Sequence, residues 1–304
     1  MSRLSSMFDS RRPVRTGMKI FLLVLVVAAA SAGHLFARES AVMNGNVPGF
    51  ALLPAAKCDE ASDVAQCLVA GPKEWSADER HVIQETMRRV TAHELFRGIL
   101  VAAHENGYTG LRRYSTDTKK DPTAGRVPKF SPGFVLYSSR VIGITDAFFQ
   151  TADMTDPISG YRFSDLILVH ELIHAFDDRK GSTDIGFTSV SGWVFRNNRW
   201  EYAHPVSGYN GVFAESLTLY GRGRYGEAWT RDRTFATSLT FPLPTIQSLA
   251  GPSESYADIL AHLIVDSRAT AYLNRDVVAW FEGNVFPVLI DKGRRFRPAD
   301  YDLF

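Results

Sequence analysis

Two histidines four residues apart, His170 and His174 in the run His-Glu-Leu-Ile-His, constrain this chain more than any other feature. In an α-helix residues four apart lie on one face, so in that conformation both rings point the same way. From Ser164 the apolar period is that of a helix, and Leu168, Val169, Leu172, Ile173 and Phe176 fill the side opposite the two rings. The core face is therefore complete without the histidines. Two imidazoles so placed can close on a single zinc ion, with Glu171 beside them to polarise the metal's water and accept its proton. The helix is predicted to end at Gly181, after the basic pair Arg179 and Lys180.

A zinc site needs a third protein ligand, and Glu201, His204, Glu215, Glu254 and His262 lie downstream. Glu254 is favoured because it opens the run Glu-Ser-Tyr-Ala-Asp. Asp258 then falls one turn further along the same face, where it can accept the second ring proton of a ligating histidine. Glu215 and His204 are the main alternatives. Tyr202, Tyr209 and Tyr256 are candidates for stabilising the oxyanion of a tetrahedral intermediate.

His-Glu-x-x-His followed by a downstream helix bearing Glu-x-x-x-Asp resembles the gluzincin metallopeptidases. Residues 170–178, which continue through Ala175 and Phe176 into Asp177 and Asp178, are similar to the metal helix of the anthrax lethal-factor type. The Glu254–Asp258 run resembles the third-ligand helix of that group. The resemblance implies a zincin-like fold with an edge strand above the cleft, along which an extended peptide pairs. It also implies that Asp178 and Asp258 support the ligands from behind. The chain departs from the pattern in the 79 residues between His174 and Glu254, which must form a structured excursion carrying Trp193, Trp200, Tyr202 and Tyr209.

Lys and Arg number 34 against 33 for Asp and Glu, so no basic field is available to hold nucleic acid or an anionic membrane surface. The N-terminus is different in kind. Arg11, Arg12, Arg15 and Lys19 precede an apolar run from Ile20 to Ala30 and the small residues Ser31, Ala32 and Gly33, the layout of a secretory signal. A helix of about 14 residues spans roughly 21 Å, short of the ~30 Å hydrocarbon core, which favours a cleaved signal over an anchor. Residues 1–37 are therefore read as a signal peptide or N-terminal anchor, and membrane contact is expected only through them. In an exported chain the two cysteines, Cys58 and Cys67, are expected to form a short-loop disulfide.

Residues 38–75 read as a linker carrying that disulfide. Ser76 with Glu79 makes a capping box, predicting a helix over Ala77 to Asn106 that breaks around Gly98. Residues 109–133 look like an exposed loop. Phe134–Tyr137 and Val141–Ile144, split by Ser138, Ser139 and Arg140, suit a hairpin or a bent strand. A short sheet or structured loop is expected over 185–205, a helix from Gly211 to Tyr220, and a C-terminal helix from near Ser253. The whole is read as one α+β domain over 76–304. The expected function is zinc-dependent hydrolysis of a peptide or protein substrate outside the cytoplasm. The alternative is a cell-envelope binding or assembly protein with a vestigial zinc site.

Overall fold

The computed structural model describes residues 50–55, 73–115, 131–137, 140–178, 180–204 and 206–301, all within the unit Asn46–Phe304. Residues 1–37, read as a signal peptide or anchor, and the two cysteines expected to pair, Cys58 and Cys67, lie outside the described residues. No described helix is long and apolar enough to cross a membrane.

The architecture is α+β. Strand β1 (Ala51–Leu52) leads through α1 (Ala77–Val90) and α2 (Glu94–Glu105) to β2 (Gly110–Arg113), so two helices supply the crossover that parallel neighbours require. Strands β3 (Gly133–Leu136) and β4 (Val141–Ile144) form the expected hairpin, and the sheet order is β1-β2-β4-β3. β2 and β4 run parallel, while β3 runs antiparallel at the edge. Phe134 faces Gly143 across the hairpin, where a Cβ would stand 2.3 Å from its ring, and the same ring packs on Tyr114 with centres 4.9 Å apart.

Beyond the sheet come α3 (Asp146–Thr151) and the histidine-bearing α4 (Phe163–Asp177). The excursion between the histidines and Glu254 is structured, but residues 185–191, expected as sheet or loop, form a helix, α5 (Ile185–Ser191). The ribbon β5 (Trp193–Arg196) and β6 (Arg199–Tyr202) and helix α6 (Tyr209–Gly221) follow as read, and α7 (Tyr225–Thr237) is a further helix. A 3-10 turn, Ile246–Leu249, then leads into α8 (Pro252–Val265), followed by α9 (Ala269–Tyr272), α10 (Arg275–Asn284) and α11 (Phe286–Gly293).

The capping box forms in full: the Glu79 amide donates to Ser76 Oγ at 3.2 Å and the Ser76 amide to Glu79 Oε2 at 3.0 Å. The carboxylate also takes the guanidinium of buried Arg113 at 2.7 Å and Lys73 at 3.2 Å, tying α1 to the sheet. Partial burial works to raise the Glu79 carboxyl, but Arg113, the Ser76 amide and Lys73 outweigh it and hold it at about 2.

Several readings differ from expectation. Residues 110–113, read as the opening of an exposed loop, form β2, a mostly buried strand between β1 and β4. The break after α1 falls at 91–93 and not at Gly98, because Thr91 Oγ1 donates back to the Met87 carbonyl at 2.7 Å and Arg97 reaches the Thr91 carbonyl at 3.0 Å. Gly98 instead lies inside α2, where a Cβ would stand 2.0 Å from the Leu289 carbonyl oxygen of α11. Gly293 repeats the device, since a Cβ there would stand 2.8 Å from the Glu94 carbonyl oxygen, so the two helices meet backbone to backbone. Part of the segment read as a linker is also folded: Phe50 and Trp75 are buried, and Trp75 Nε1 donates to the Leu53 carbonyl at 3.0 Å.

Candidate metal centre

Helix α4 runs through the core and packs against α1, α2, α3, α8 and the β3–β4 hairpin. Leu168, Val169, Leu172 and Ile173 are fully buried, each contributing about 1.5–3 kcal/mol as an upper estimate, so the helix is a rigid platform. It ends earlier than the sequence suggests, at Asp177. Asn106 at the end of α2 donates to the Ala175 and Phe176 carbonyls at 2.9 and 2.8 Å, satisfying groups that a helix end leaves open. Asp178 then takes a left-handed conformation with φ 43°.

His170 and His174 project from α4 toward the first turn of α8. Pro252 starts that helix and Glu254 follows within its first turn, where the helix dipole favours a negative charge. His170 Nε2 lies 3.1 Å from His174 Nε2 and 3.2 Å from Glu254 Oε2, and His174 Nε2 lies 3.5 Å from Glu254 Oε1. Tetrahedral ligands at about 2.0–2.1 Å from zinc stand about 3.3–3.4 Å from one another, close to these separations, with Glu254 facing His170 through Oε2 and His174 through Oε1. Among the described residues no other group of three His, Cys, Asp or Glu side chains converges this way. Gln247 Nε2 donates to Glu254 Oε2 at 2.9 Å and orients it. The Glu254 side chain is 31% exposed, the most open of the three. Burial works to raise its carboxyl, but His174 and His170 pull it well below the ordinary range, as a cation would.

Glu171 is 7% exposed and sits beneath the start of β3. A Cβ on Gly133 would stand 2.5 Å from Glu171 Cγ and 2.9 Å from its Cδ and Oε1, so the missing side chain makes the seat for this carboxylate. Burial pushes the Glu171 carboxyl up to about 8, with His170 pulling down and Glu254 pushing up. A divalent cation held between the ligands would pull it down again.

The other sequence candidates lie elsewhere. Glu201 pairs with Arg199 at 2.6 Å, Glu215 pairs with Arg231, and His204 stacks on Phe241 with ring centres 4.6 Å apart. His262 is fully buried, its Nδ1 donating to the Asp258 carbonyl at 2.8 Å. Its Nε2 lies 3.1 Å from Tyr161 Oη, which itself accepts from Arg233 at 2.8 Å and so has its own proton to give. Both nitrogens of His262 are therefore spoken for.

Asp258 does not bond to His170. Its Oδ2 accepts from Thr245 and Ser248 at 2.7 and 2.6 Å, and its Oδ1 lies 3.3 Å from His262 Nδ1. Burial works to raise the Asp258 carboxyl, but His262 first and then His170 and Ser248 hold it low. Asp178 also departs from its expected place behind a ligand, since its left-handed backbone turns the side chain to an ion pair with Arg140. Of the tyrosines, Tyr202 packs on Trp193, Tyr209 on Phe213, and Tyr256 on Phe187 and Phe281. None of the three hydroxyls bonds to His170, His174 or Glu254.

Several residues of the site carried no sequence signal that spacing could expose: Gly133 under the edge strand, Gln247 on Glu254, and Tyr137 and Ser253, whose hydroxyls each lie 3.3 Å from His174 Nδ1. No protein-family model, curated protein or solved structure matches the chain.

Proposed function

We propose that this chain is an exported zinc-dependent metallopeptidase with a zincin-like, gluzincin-type catalytic domain. The observation that carries the reading is the convergence of His170 Nε2, His174 Nε2 and the Glu254 carboxylate at 3.1–3.5 Å from one another, one residue away from a buried carboxylate. His170, His174 and Glu254 hold the ion, which when bound lowers the pKa of a water and polarises the scissile carbonyl. Glu171 accepts the proton released during attack and passes it to the leaving amine. Gly133 leaves that carboxylate its working position. By the family resemblance, β3, the last strand in the sheet order, would align an extended peptide or protein segment over α4. Cleavage of the signal in 1–37 and closure of Cys58 with Cys67 complete the mature form.

The decisive variant is Glu171→Gln, which keeps volume and metal ligands and removes only the proton acceptor. Zinc content should stay near one per chain while cleavage of a peptide library falls about 10²- to 10⁴-fold. Equal cleavage by both proteins excludes Glu171 as the base. Absence of chelator-sensitive cleavage by the wild type sinks the peptidase reading and leaves an envelope binding protein.

A further inference from the structure

His174 can present a lone pair at Nε2 only if its ring proton sits on Nδ1, and that proton needs an acceptor. In metal-ligating histidines the acceptor is commonly a carboxylate, a backbone carbonyl or water. Among the described residues no carboxylate or carbonyl oxygen bonds His174 Nδ1. Asp177, three residues further along the chain, instead accepts the Gly181 and Ser182 amides at Oδ1, at 2.6 and 2.9 Å. What stands at His174 Nδ1 is a pair of hydroxyl oxygens, Tyr137 Oη and Ser253 Oγ, both at 3.3 Å. The equal and slightly long separations suit one N–H shared between two acceptors.

The two hydroxyls come from different parts of the fold. Tyr137 directly follows β3, and Ser253 directly precedes Glu254 in the first turn of α8. One ring of α4 is thus tied at the same atom to the edge strand and to the helix of the third ligand. Resting on the zinc reading above, we infer that Tyr137 and Ser253 are paired positioning residues that fix the His174 tautomer and ring plane, in place of the carboxylate expected from Asp178 or Asp258. Either hydroxyl alone can accept the proton, so the two are redundant. Neither carries charge, so the imidazole is oriented without the gain in basicity that a carboxylate partner confers.

The test is zinc affinity of the full chain, measured by competition with a chromophoric chelator, and the visible spectrum after cobalt substitution. Tyr137→Phe and Ser253→Ala should each weaken zinc binding only a few-fold, and the double variant about 10- to 100-fold, the usual cost of losing such partners. The cobalt bands should shift only in the double variant. Metal-free melting temperatures should agree among all four proteins, which separates positioning from a general packing defect. Ser253→Thr combined with Tyr137→Phe keeps one hydroxyl and should restore the affinity of Tyr137→Phe alone. A double variant binding zinc within twofold of wild type overturns the inference. So does equal loss in the Ser253→Thr combination, which points to packing. If the wild type itself takes up no zinc, the metal centre fails, a result distinct from a wild type that binds and a double variant that binds equally well.

Discussion

Replacing Gly133 by alanine tests the seat of the proposed base without touching a metal ligand. The added methyl would lie 2.5 Å from Glu171 Cγ and 2.9 Å from Cδ and Oε1, against the ~3.5–4.0 Å that two carbons prefer. Roughly 1 Å must therefore be found. The strand is poorly placed to give it, because β3 is laddered to β4 and the Thr145 amide donates to the Pro132 carbonyl at 3.0 Å. Helix α4 is held on all sides by buried contacts, so the flexible Glu171 side chain is the part that moves. Overpacking of this kind costs about 1–3 kcal/mol, and a catalytic group displaced by about 1 Å loses on the order of a hundredfold in rate. Zinc per chain, melting temperature and kcat/KM on a peptide library should be compared. The expectation is full zinc, a melting point lower by a few degrees, and kcat/KM down about a hundredfold. Adding Glu171→Gln to Gly133→Ala should cost little more, because both changes disable one group. Wild-type kcat/KM in Gly133→Ala would refute the argument that this glycine seats the base.

Glu254→Ala should lose zinc on dialysis while His170 and His174 remain, and retention of a full equivalent would reject Glu254 as third ligand. Gly98→Ala should destabilise severely, by about 3 kcal/mol or more in urea titration, because its Cβ meets the rigid Leu289 carbonyl at 2.0 Å and no flexible side chain can yield. Wild-type stability there would disprove the close helix contact. The acid limb of stability should depend on Glu79: its folded value of about 2 lies below the ordinary 4.5, so its stabilisation is complete above about 4.5 and drains away as pH falls toward 2. Glu79→Gln should be less stable than wild type at neutral pH and converge with it near pH 2, and a constant difference across that range would contradict the assignment.

The parts of this protein that could be read from sequence are those set by neighbours in the chain. The period that buries Leu168, Leu172 and Ile173 defines α4 whatever surrounds it, and the capping box of Ser76 and Glu79 closes over three residues. The β3–β4 hairpin is likewise a local pairing. Where a feature depends on a distant element, local signals mislead. Gly98 looks like a helix breaker and serves as a landing place for α11, which arrives almost two hundred residues later. The basic pair and Gly181 suggest a helix end, yet Asn106 of α2 stops the helix four residues sooner. Glu254 was legible through Asp258 one turn on, but Asp258 proves to be held by Thr245, Ser248 and His262. The hydroxyls at His174 come from 37 residues before it and 79 after it, separations at which sequence spacing says nothing.

The shortness of β3 limits what an edge can do for a guest chain. Four residues at about 3.3–3.4 Å each span some 13 Å, and in an antiparallel ladder about half of them turn their amide and carbonyl outward. A peptide laid there would gain bonds at two positions at most, each bond worth on the order of 1 kcal/mol net of the water it displaces. Micromolar binding needs about 8 kcal/mol, so the strand supplies direction and register more than grip. On the peptidase reading, a guest that stays long enough to be cut would have to be held by its side chains, or by a second contact elsewhere on the folded body.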